Sequence, residues 1–180
     1  MARVPYLQND QVDPKVREMF EKIEGGGGQI VNLYRVLAHS PEICRAFIRF
    51  GNRLLFRGAI PPTLRELAIL LVSERTDANY ERTKHREIAA GAGVPAGKID
   101  AVKSWFDSDQ FDDKERAVLQ YADEVIRDVR AAPGTFEALR QHFNDEAIVE
   151  LTTVIGFYCM VSRILENLEV ELEEGGGPPV

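Results

Sequence analysis

Apolar residues recur at three- and four-residue intervals along nearly the whole chain, and strand-like alternation is almost absent. The pattern predicts an all-α protein. Asp13 reads as an N-cap with Pro14 at the first helical position, and Val16, Met19, Phe20 and Ile23 share one face of the helix that follows. Four consecutive glycines, Gly25 to Gly28, end it and form a loop. That loop lacks the Lys-Ser/Thr pair of a phosphate-binding P-loop and any preceding strand. A short helix is expected over residues 29–38, carrying Ile30, Leu33, Tyr34 and Leu37. Ser40-Pro41 then opens another helix running to about Arg57, with Ile43, Phe47, Phe50, Leu54 and Leu55 facing inward, and Gly58 stops it.

Pro61-Pro62 stiffens the approach to the next segment, Leu64 to Val72, which is apolar nearly all round. A helix of that kind belongs in the centre of a molecule or between subunits. The following helix carries His85 and ends near Gly91. Pro95 opens a short helix with Ile99, Val102 and Trp105. Residues 107–113 form an acidic loop and cap, ahead of a helix over about 112–130. Another helix follows Pro133-Gly134, and a long one spans about Asn144 to Glu173. A single domain is expected over residues 1–174, with a disordered Gly/Pro tail over 175–180. Glu66-Leu67 and Glu150-Leu151 both begin apolar helices, a faint internal echo too short to define a repeat.

With 180 residues, 44% apolar and 28% charged, the chain is long enough for a substantial core. A net charge of −7 with scattered basic residues argues against a nucleic-acid partner. The start of the chain has no apolar signal core, and no uninterrupted apolar run reaches the roughly 18 residues of a membrane span. No membrane partner is expected. The two cysteines, Cys44 and Cys159, lie far apart in apolar helical surroundings. They read as small buried hydrophobes in a reducing compartment, so a cytoplasmic location is expected. His39, His85 and His142 are too dispersed for a metal-ligand motif, and neither a metal nor another cofactor is anticipated.

The candidate chemistry centres on Glu66 and His85. A turn near Thr76-Asp77 would fold their helices face to face, setting a carboxylate against an imidazole in an apolar wall, which is an arrangement suited to proton transfer. In that role Glu66 needs burial that raises its pKa towards neutrality. Thr63-Leu64-Arg65-Glu66 also has the form of a capping box, in which Glu66 would merely satisfy helix-end amides. His85 could equally be a satisfied core residue. Ile88, Ala89 and Ala92 share its face, and Glu81, four residues earlier, could orient its ring or form a solvated charge pair. Tyr80 offers a hydroxyl for an oxyanion or simple packing. Arg65 offers a fork for a substrate carboxylate or a surface ion pair, and its place next to Glu66 turns it about 100° away on the helix. His39 reads as an inter-helix contact, and His142 as a cation near a helix end.

Leu64-Arg65-Glu66-Leu67-Ala68-Ile69-Leu70, Tyr80-Glu81-x-x-x-His85 and Ala89-Ala90-Gly91 together resemble the carboxymuconolactone decarboxylase family, which includes the AhpD-like alkylhydroperoxidases. Asn32 to Pro41 and the stretch from Glu150-Leu151 to Tyr158-x-x-Val161-Ser162-Arg163 fit as well, so the likeness covers roughly residues 28–172. It implies an AhpD-like bundle of about six to eight helices, a homotrimer or homohexamer, and a pocket built from the Glu- and His-bearing helices. The peroxidase members carry Cys-x-x-Cys-x-x-x-His. Here Ala78 and Glu81 stand at the two sulfur positions, which leaves no peroxide-attacking thiolate. The resemblance then implies cofactor-free acid/base chemistry on a small organic acid or lactone, with His85 and Glu66 catalytic and Tyr80, Arg65 and Glu81 binding substrate. An isomerase or dehydratase on the same fold, or a non-catalytic oligomeric scaffold, are the competing readings.

Overall fold

The computed structural model describes residues 2–173, and the expected disordered tail lies outside them. Among the described residues there are nine α-helices and no strand: α1 Pro14–Gly25, α2 Asn32–Leu37, α3 Pro41–Phe56, α4 Pro62–Arg75, α5 Asn79–Gly91, α6 Ala96–Ala101, α7 Asp113–Asp128, α8 Pro133–Arg140 and α9 Asp145–Leu168. A short 3₁₀ segment, Val102–Asp107, follows α6. By packing, the chain divides into two compact units. One comprises Met1–Arg53 with Ile164–Val180, the other Leu54–Arg163, so the division falls inside α3 and α9.

In the first unit Asp13 caps α1 as expected, its side chain accepting from the Lys15 N–H at 2.8 Å ahead of Pro14. Val16, Phe20, Ile30, Cys44 and Ile48 form its core. His39 Nε2 lies 2.8 Å from the Pro5 carbonyl oxygen, a contact that ties down the chain start. The inward face of α3 differs from expectation. Phe47 and Leu54 are buried as expected, but Ile43 and Phe50 are 59% and 46% exposed, and Cys44 and Ile48 are buried in their place. The buried face is displaced to one side of the expected stripe, because two apolar stripes that share Phe47 and Leu54 competed for one core. Helix α2 starts at Asn32 rather than 29, since Ile30 and Val31 are buried in extended approach to it. Helix α9 ends at Leu168, five residues before the expected end. Glu169 turns left-handed at φ 50°, and the Val170 N–H bonds back to the Leu165 carbonyl at 3.0 Å, a Schellman closure.

The second unit is built on α4, which packs against α5 and α7. Its residues Leu64 to Ser73 are buried without interruption, which is why that segment had no polar face to read. Helix α7 begins with a true capping box, Asp112 accepting from the Glu115 N–H at 2.8 Å while Glu115 accepts from the Asp112 N–H at 2.9 Å. On α9, Glu150 does not repeat the role of Glu66. Its Oε2 accepts from the Ala59 and Ile60 N–H groups and so fastens the loop leading into α4. A Cβ at Gly58 would lie 2.9 Å from that oxygen, so a larger residue there would displace the Glu150 carboxylate. By length and composition alone α9 could cross a bilayer, and half of its most apolar window is buried within the protein. A core helix meets the same description.

Leu119 on α7 is fully buried. Leu119→Ala is expected to lower unfolding free energy by about 2–5 kcal/mol, measured by urea denaturation.

Candidate functional site

Helix α4 delivers Glu66 from its second turn. Helix α5 follows after Asp77, which adopts φ 52°. This tight left-handed turn brings α5 back along α4, and it stands where the sequence predicted a reversal. As a result His85 Nδ1 lies 2.7 Å from Glu66 Oε2. Glu66 is 0% exposed, and its other oxygen accepts from Arg65 Nε at 3.0 Å. The far side of the imidazole faces Glu81, with His85 Nε2 3.3 Å from Glu81 Oε2. Tyr158 of α9 packs edge-on against the His85 ring, with centroids 4.8 Å apart and planes at 86°.

Glu66 is not the cap that Thr63-x-x-Glu66 suggested. Helix α4 starts two residues earlier than that box requires, at Pro62, after Pro61, with no side-chain cap bond. Glu66 therefore points from inside the helix into the unit's interior. Nor is its pKa raised. Burial alone would push the carboxyl up, but the charge and hydrogen bond of His85, and after it those of Arg65, outweigh burial and hold it below its ordinary 4.5. The same reciprocity governs His85. Burial pulls the imidazole down, while Glu66, and secondarily Glu81, raise it to about 9 from an ordinary 6.5. The pairing thus favours the charged forms of both Glu66 and His85 near neutral pH.

The structure gathers Glu66, His85, Glu81 and Arg65 within contact distance. Arg65, expected to turn away, has its long side chain folded back onto Glu66. Tyr80 is also buried on α5, but its five-residue offset sets it about 140° around the axis from His85. One residue had no signal as a site member. Tyr158 is distant in sequence and closes one wall of the ring. Lys84, next to His85, is also buried on α5, where a lysine beside a polar run had read as a solvated face. His142 falls just past the end of α8, away in sequence from this cluster. Both thiols are held up by burial, Cys44 at about 11 and Cys159 above its ordinary value despite Arg163 nearby. Among the described residues no group of three or more His, Cys, Asp or Glu is placed to hold a metal ion.

Residues 41–124, which contain both Glu66 and His85, match the model of the carboxymuconolactone decarboxylase family. Over that stretch the chain is similar to the family, and it lacks the Cys-x-x-Cys motif. No curated protein matches it in sequence. Among solved structures, the AhpD-core peroxidase-related protein of Ralstonia eutropha JMP134 is 22% identical with a TM-score of 0.85, over 96% of this chain and 93% of that one. A protein of unknown function from Agrobacterium tumefaciens, a putative antioxidant defence protein AhpD, is 26% identical with a TM-score of 0.71, over 76% of this chain and 94% of that one. A cysteine-to-alanine variant of the debrominase Bmp8, in complex with 2,3,4-tribromopyrrole, is 22% identical with a TM-score of 0.80, over 95% and 91%. These likenesses establish an AhpD-like all-α fold.

The pair makes stability depend on pH with a definite sign. The raised His85 value contributes stability fully present below 6.5 and lost as pH rises through about 9. The lowered Glu66 value contributes stability present above 4.5 and lost as pH falls through its depressed value. Unfolding free energy is therefore expected to be greatest between these limits, and NMR should show His85 still protonated at pH 7. Glu66→Gln should move the titration down markedly and cost about 3–5 kcal/mol of stability.

Proposed function

We propose that this protein is a cytoplasmic, decarboxylase-like enzyme that uses cofactor-free acid/base chemistry on a small organic acid or lactone, and that it is not a thiol peroxidase. The observation that carries the reading is the buried His85 ring held between Glu66 and Glu81. Decarboxylation leaves a carbanion or dienolate that must gain a proton, and a site that stores one proton at neutral pH in a water-poor interior supplies it. Glu66 sets the basicity of His85, and Arg65 fixes Glu66. Arg65 and Tyr80 remain the proposed holders of the departing carboxylate or the enolate oxygen, with the Nε edge of Arg65 already committed to Glu66. Sulfur chemistry is disfavoured because Ala78 and Glu81 occupy the family's two thiol positions and because both remaining thiols are protonated near neutrality.

Carboxymuconolactone is the first substrate to test. The expected result is release of carbon dioxide by the intact protein, reduced about 10²- to 10⁴-fold in His85→Gln and in Glu66→Gln. Unchanged turnover in His85→Gln would remove the pair as the engine. Variants that alter stability in a protein showing no turnover would favour the scaffold reading.

We also propose a homotrimer or homohexamer. Val149, Gly156 and Met160 lie exposed along α9, and an apolar helix face of that kind suits a neighbouring copy. Light scattering coupled to gel filtration should give three or six times the chain mass; a monomer at micromolar concentration would count against it.

A further inference from the structure

The two ends of the carboxylate–imidazole–carboxylate chain are not equivalent. At the Glu66 end both oxygens are engaged, Oε2 by His85 at 2.7 Å and Oε1 by Arg65 at 3.0 Å, and the side chain has no exposure at all. A proton reaching Glu66 has nowhere further to go. At the other end the contact is longer, 3.3 Å, and Glu81 Oε2 has no hydrogen-bond partner among the described residues. That contact is a charge pair whose hydrogen bond is not closed, because Nε2 and Oε2 are near each other without alignment. What little exposure the three groups have is on the Glu81 and His85 side chains. Both ring nitrogens of His85 face carboxylates, so no ring nitrogen is free to meet a substrate directly. An unbonded buried carboxylate oxygen is expensive to maintain unless it has a task.

We propose that Glu81 is the group that hands the proton to the substrate, and that His85 is the internal store behind it. This rests on the acid/base reading given above. In the resting site Nε2–H of the imidazolium faces Glu81 Oε2. The proton moves across, breaking N–H and forming O–H, and leaves a neutral imidazole that still donates from Nδ1 to Glu66. The Glu81 carboxylic acid then gives its proton to the carbanionic carbon. Its O–H bond breaks, and the electron pair of the enolate forms the new C–H bond. Glu81 returns to carboxylate, and one solvent proton, taken up through Glu81, restores the imidazolium. One proton is consumed for each carbon dioxide lost, which is the stoichiometry of a decarboxylation. Glu81 is then a catalytic residue, and His85 and Glu66 act through it.

The test does not require a substrate. The exchange of the His85 ring N–H with solvent can be followed by NMR saturation transfer in the full-length protein, where only three histidines contribute. With Glu81 as the carrier, Glu81→Gln should slow exchange about tenfold or more, and Glu81→Asp, which keeps a carboxylate, should stay within about threefold of the parent. Glu81→Met has the same expectation as Glu81→Gln and replaces it if the amide variant does not fold. Equal exchange rates in the parent and Glu81→Gln overturn the proposal, as does an Asp variant as slow as Gln. With carboxymuconolactone as the probe, Glu81→Gln should also lose turnover while His85 still titrates above 6.5. A parent protein that releases no carbon dioxide defeats the decarboxylase reading alone, because the exchange rates decide the role of Glu81 separately.

Discussion

The contact between Glu66 and His85 is the constraint on which the rest of this site depends. Neither group would be charged in that position alone, since burying an isolated carboxylate or imidazolium is strongly unfavourable. Together, at 2.7 Å, each makes the other's charged form the stable one. The interaction therefore fixes protonation as well as position. It also fixes geometry. An ion pair of this kind tolerates little lengthening in a low-dielectric interior, so α4 and α5 must pack at one register for it to persist.

That demand explains features of the fold otherwise unconnected to chemistry. Helix α4 is buried along its length from Leu64 to Ser73, which makes it a rigid platform. The reversal into α5 is set by one left-handed residue, Asp77. The loop before α4 is fastened by Glu150, whose carboxylate gathers two backbone N–H groups. The cluster of charges on α4 and α5 is thus held from both ends of α4, by a tight turn after it and a tethered loop before it. Rigid support of this sort is what proton transfer requires, because donor and acceptor must already be in place when the proton moves.

Much of this was readable in the sequence, for reasons that can be named. The helical class followed from apolar periodicity. The cap at Asp13 and the proline at the start of α1 followed from local hydrogen-bonding needs that depend on a few adjacent residues. The Glu66–His85 pairing was legible because a single short turn separates the two helices, so their relative register had few alternatives. Long-range contacts were not legible. The Tyr158 wall against the imidazole depends on how α9 packs, and no local pattern encodes that. Competition between local patterns also misled. Thr63-x-x-Glu66 fits a capping box as well as many true boxes do, and only the helix beginning at Pro62 removes Glu66 from that role. The α3 face was misjudged at Ile43 and Phe50, which make as good an apolar stripe with Phe47 and Leu54 as Cys44 and Ile48 do.

The pKa of Glu66 shows how a contact can be anticipated and its electrostatics reversed. Desolvation considered alone raises a carboxylate, and an apolar helix invites that conclusion. Yet desolvation acts on every charge in the same small volume, and the groups respond jointly. Once His85 and Arg65 are both within 3.0 Å of its oxygens, the cost of charging Glu66 is offset by two cations that would otherwise be buried unpaired. The proton that a lone buried Glu66 would have held sits instead on His85. The carboxylate whose hydrogen bond is left unclosed is then Glu81, not Glu66.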